Sequence, residues 1–179
     1  MVDPIAASRV AHRALFVALA LAILFLRLLP LDMVPSRIPG PDLILCLTFV
    51  WIRRRPDYVP AALIVCVFLL EDFLTMRPPG PWPLIVLMGT EFLRSREVTL
   101  RDLPFALDWA MIGGLVMAMT LIHWVMLAIF IVPQAEFGPT ILRALATIAA
   151  YPMVVLFTLF VIGLRRAAKG EVDALGHRL

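Results

Sequence analysis

Six apolar runs, each closed by prolines or arginines, leave this chain few ways to fold. They cover residues 14–31, 41–52, 58–76, 82–93, 105–132 and 140–164. A helix crossing the bilayer core needs about 20 residues at a rise of about 1.5 Å each. The second and fourth runs are shorter than that. They span if their closing arginines reach to the headgroups or if the local bilayer thins. Composition agrees: 62% of the 179 residues are hydrophobic and 16% are charged, with a mean hydropathy of +0.96. A soluble domain is about 45–50% apolar and about 25% charged. A small globule with so few charges cannot wet its surface, which excludes a soluble enzyme or transcription factor. A disordered chain needs low hydrophobicity and is excluded too. The expected fold is an all-α integral membrane protein, a six-transmembrane-helix bundle forming one domain over residues 1–179, with 165–179 as a polar tail.

The punctuation is specific. Pro30 ends the first run, and Pro41 suits the first turn of the second. Arg53-Arg54-Arg55-Pro56 ends the second, and Pro60 opens the third. A proline-rich turn around Arg77 separates the third from the fourth, and Pro133 closes the fifth. Pro152 interrupts the sixth, where a kink is expected. Arg9, His12 and Arg13 before the first run resemble a signal peptide. Arg27 and Pro30 follow instead of an A-x-A-like cleavage site, so an uncleaved first helix is expected.

The basic residues set the orientation. One set of loops carries Arg9, Arg13, Arg53, Arg54, Arg55, Arg94, Arg96, Arg101, Arg165, Arg166, Lys169 and Arg178, whereas the opposite set carries only Arg37 and Arg77. The positive-inside rule then places both termini in the cytoplasm. The net charge of +3 reads as topology and lipid-headgroup contact; no nucleic-acid partner is expected.

Ionisable residues within the runs are costly and draw attention first. With alternating helix directions, Arg27, Asp42, Glu71, Asp72 and Arg143 all fall near the outer leaflet. We expect an ionic cluster there, with Arg27 facing Asp42 or Asp72, and with an architectural role. Glu91 is within reach of Arg94 by helical spacing. Asp108 opens the fifth run, where an acid favours the helix dipole. His123, lone and mid-helix, is expected to form an interhelical hydrogen bond. Gly113, Gly114 and Ala118 permit close helix approach. Trp51, Trp82, Trp109 and Tyr58 are expected as interface anchors. Cys46 and Cys66 form no CxxC and are expected as buried, reduced thiols. The sequence has no GxSxG, HExxH, Walker glycine loop or Cys/His cluster. Glu71 and Asp72 diverge by about 100° on a helix, so they do not converge on one substrate. No catalytic residue, cofactor or metal is expected.

Three stretches together resemble a known family. Pro41-Asp42-Leu43-Ile44-Leu45-Cys46-Leu47 leads through Trp51 to Arg53-Arg54-Arg55-Pro56. Glu71-Asp72-Phe73-Leu74 precedes the proline-rich turn, and Leu87-Met88-Gly89-Thr90-Glu91-Phe92-Leu93-Arg94 follows it. In size and motif order the chain resembles the rod shape-determining MreD proteins, in their alphaproteobacterial form. The resemblance implies a non-catalytic scaffold of the machinery that elongates the peptidoglycan side wall. It implies MreC as a direct partner, with MreB, RodA and the elongation-specific penicillin-binding transpeptidase in the same assembly. It also implies a fold similar to the S-components of energy-coupling-factor transporters, which makes a small-molecule-binding bundle the alternative. Short helices two and four are where a groove for a partner is expected, beside longer neighbours.

Overall fold

A computed structural model describes residues 4–29, 39–97, 103–132 and 136–163. Those residues fold into helices with no strand among them. The helices are α1 (Pro4–Leu28), α2 (Leu43–Arg54), α3 (Ala61–Leu74), α4 (Pro81–Ser95), α5 (Phe105–Ile129) and α6 (Phe137–Phe160), with a 3₁₀ turn at Pro56–Tyr58. Three segments are long and apolar enough to cross a membrane: Ser8–Leu28, Phe105–Ile129 and Phe137–Phe160. They mark the chain as a membrane protein. By contrast α2, α3 and α4 have 12, 14 and 15 residues, short of the spanning length.

Local chemistry sets the boundaries. The Asp42 side chain caps α2 by accepting from the Leu45 amide at 3.1 Å. Arg53 and Arg54 occupy the last turn of α2, where cations favour the dipole. The third run was expected as one span over 58–76. Its helix is shorter because Pro56 starts the 3₁₀ turn and Pro60 takes the cap position. Gly80, at φ 109°, makes the left-handed turn before Pro81 opens α4. At the other extreme, α1 begins well before the expected start at residue 14.

The shortest helix lies at the centre. Every residue of α2 from Ile44 to Arg53 is buried, and α1, α4 and α6 pack around it. No side of α2 is left open to form a groove along its length, contrary to that expectation. Two glycines allow close packing against α5. A Cβ on Gly89 would lie 2.7 Å from the Met119 sulfur, and one on Gly113 3.3 Å from Ile148 Cγ2. Gly114 and Ala118 instead face outward.

The helix α6 continues through Pro152. Proline removes the N–H that would have bonded the Ile148 carbonyl. The Trp109 indole on α5 donates to that carbonyl at 2.9 Å. A backbone group freed in an apolar setting is thus satisfied by the neighbouring helix. Trp109 therefore joins two helices as well as sitting at the surface.

Candidate functional site

The embedded charges gather at the two ends of α2. At the Asp42 end, Arg143 on α6 donates to Asp42 Oδ2 at 3.1 Å. The Asp42 amide in turn donates to Thr147 Oγ1 at 2.9 Å. Nearby, Arg27 at the end of α1 pairs with Glu71 on α3 at 2.5 Å. Arg77 approaches the same Glu71 oxygen at 3.6 Å. Of the residues expected to cluster, Arg27, Asp42, Glu71, Asp72 and Arg143, Arg27 faces Glu71 and neither Asp42 nor Asp72, and Arg143 faces Asp42. Asp72 has another task. It is fully buried, and its Oδ2 accepts from the Gly80 amide at 3.3 Å, holding the α3–α4 turn.

The Arg53 end carries a pair that the sequence reading missed. Arg53 bonds Asp108 at 2.7–2.8 Å, and both side chains are only 3% exposed. Arg53 was read as a topology marker and Asp108 as a dipole partner. Depth held the missed signal: the last turn of α2 and the first turn of α5 meet at one level. The other arginines there vary. Arg94 pairs with Glu91 at 3.2 Å, as expected, and also donates to the Val59 carbonyl. Arg96 lies over the Phe92 ring. Arg54 lines a cavity of about 290 Å³ with Arg53, Asp108 and Tyr151. Arg55 is half-buried. Arg101, Arg165 and Arg166, and the tail expected over 165–179, lie outside the described residues.

Two anchors are corrected. Trp51 is fully buried, edge-on to Phe16, and Trp82 is nearly so. Trp51 serves the core because α2 lies inside the bundle, and Trp82 because it sits on the inward face of α4, whose Leu84 and Met88 are exposed. Tyr58 stacks on His12 of α1, with ring centroids 4.5 Å apart. Cys46 is buried as expected, but Cys66 is exposed on the outward face of α3.

A cavity of about 390 Å³ opens at the Asp42 end. Asp42 and Leu45 of α2, Trp82 of α4, His123 of α5 and Arg143 of α6 contribute to its walls. It lies where the short α2 and α4 begin beside the longer α5 and α6. His123 meets Trp82 edge to face, with centroids 5.1 Å apart, in place of the expected hydrogen bond. The comparisons with known proteins come back empty. No family model, curated protein or solved structure matches the chain. No group of three or more His, Cys, Asp or Glu suited to a metal occurs among the described residues.

Proposed function

We propose that this chain is a non-catalytic membrane scaffold of the MreD type, with six spans and both termini in the cytoplasm. In this reading it sits in the bacterial inner membrane, binds an MreC-like partner directly, and helps organise side-wall synthesis with MreB, RodA and the penicillin-binding transpeptidase. One observation carries the proposal: the embedded charges are spent on joining helices. Arg27–Glu71 ties α1 to α3, Asp42–Arg143 ties α2 to α6, and Arg53–Asp108 ties α2 to α5. Charges used in this way build a defined shape, and shape is what a scaffold presents to partners in the bilayer. The motif resemblance over Pro41–Pro56 and Leu87–Arg94 supports the same reading. For the six spans, the support is the length pattern. α2, wrapped by longer helices, needs no lipid contact along its length, and flanking arginines extend its reach.

Two measurements test the proposal. Depletion in the cells that carry the protein is expected to turn rods into spheres. Site-specific crosslinks from a single-span MreC-like partner are expected on helix faces of this chain. Crosslinks confined to its loops would sink the docking model. The 390 Å³ cavity favours a second reading, a small-molecule-binding bundle of the S-component type. Under that reading, feeding a nutrient rescues the depletion and cell shape is unchanged.

A further inference from the structure

We propose that the cavity at the Asp42 end binds a phosphate group, carried on a lipid or free in solution. The inference rests on the cavity alone and not on the scaffold reading, since a scaffold can hold a lipid without transporting it.

Four separate segments bring donor-bearing residues to the cavity wall: Arg77 after α3, Trp82 on α4, Trp124 on α5 and Arg143 on α6. Most of that donor capacity is unspent. A guanidinium carries five N–H groups. Arg143 uses one nitrogen on Asp42, at 3.1 Å. Arg77 makes one long approach, 3.6 Å, to a Glu71 oxygen that Arg27 already holds at 2.5 Å. The indole N–H groups of Trp82 and Trp124 are buried and have no acceptor among the described residues. Buried donors are ordinarily paired, so two unpaired ones beside one cavity call for an acceptor.

The acceptor side of the wall is already engaged. Asp42 is the one carboxylate on the described wall. Its Oδ1 takes the Leu45 amide and its Oδ2 takes Arg143. An incoming anion therefore meets two arginines and a neutralised acid. Phosphate suits donor-bearing residues held on four segments because it presents oxygens on all sides. A flat carboxylate presents its two oxygens on one side. Guanidinium groups also match phosphate geometry closely. The rest of the wall, with Leu45, Val116 and Leu127, is apolar. The volume of about 390 Å³ falls in the range of small-molecule sites, about 300–1,000 Å³, and leaves room for an apolar stem beside the phosphate.

The test is calorimetric titration of the full chain in a neutral detergent with three probes: dihexanoyl phosphatidic acid, inorganic phosphate and uncharged dihexanoylglycerol. The expected result is saturable binding of the phosphatidic acid and none of dihexanoylglycerol. Arg77→Gln should weaken binding about tenfold without loss of fold, because Glu71 keeps Arg27. Trp124→Phe keeps a ring against Phe137 and should weaken binding about threefold. Inorganic phosphate binding as tightly as the lipid supports the site and identifies free phosphate as the source. The proposal is overturned if neither phosphate probe binds saturably, if dihexanoylglycerol binds as well as the phosphatidic acid, or if Arg77→Gln leaves affinity unchanged. Partner crosslinking of the same Arg77→Gln protein keeps this outcome distinct from that of the scaffold reading.

Discussion

The two ends of α2 solve the same problem in different ways. Each carries an ion pair to a neighbouring long helix. At the Arg53 end both partners are 3% exposed, and the arginine engages Asp108 through two nitrogens. At the Asp42 end Arg143 is 28% exposed, uses one nitrogen and borders a cavity. Desolvated charges need close pairing, since a buried charge left alone is heavily penalised. Partly exposed arginines can keep donors free. The comparison suggests a division of labour, with one end locking the bundle and the other staying chemically available.

The largest expected effect is therefore at the locked end. Asp108→Ala removes the carboxylate that a buried arginine engages through two nitrogens and should cost about 3–5 kcal/mol, read as thermal unfolding in detergent. A cost below that at Arg143 would break the comparison. Charge reversal at the Asp42 end comes next. Arg27→Glu opposes buried Glu71 but leaves it Arg77, so the loss should be about 2 kcal/mol. Adding Glu71→Arg should recover much of it, and no recovery would refute the Arg27–Glu71 pairing. Arg143→Gln should cost only about 1–2 kcal/mol, because the glutamine amide can still donate to buried Asp42, which also keeps its cap bond to Leu45.

Trp109→Phe should cost about 1 kcal/mol by leaving the Ile148 carbonyl unpaired. In a Pro152→Ala background the restored amide can bond that carbonyl. The same substitution should then cost measurably less, and equal costs in both backgrounds would contradict the pairing. The smallest effect is chemical: a maleimide should label Cys66 in detergent while Cys46 stays unlabelled, with stability unchanged.

How much of this was legible in the sequence follows from what each signal encodes. Apolar runs closed by Pro and Arg located all six described helices, because proline placement and hydropathy act locally. Depth along those helices brought Arg27, Asp42, Glu71 and Arg143 to one level. Partner choice was not legible, because it depends on how each helix is rotated about its axis. Hence Arg27 met Glu71, while Asp72, one residue on, turned to the Gly80 amide. Arg53–Asp108 was within reach of the same depth argument at the opposite end. The burial of Trp51 and Trp82 was not, because it follows from α2 lying inside the bundle and from which face α4 turns inward. Pro152 and Trp109 were each visible, but their link through one carbonyl exists only once α5 and α6 are packed.

The most direct test is a pair of double-mutant cycles in detergent, one on Arg53 and Asp108, the other on Asp42 and Arg143, each with leucine replacements. If embedded charges serve to join helices, both cycles should show coupling. The Arg53–Asp108 value should be about 2–3 kcal/mol and the larger of the two, with the double variant far more stable than the single losses would sum to. Additive losses at both ends would contradict helix joining as the use of these charges.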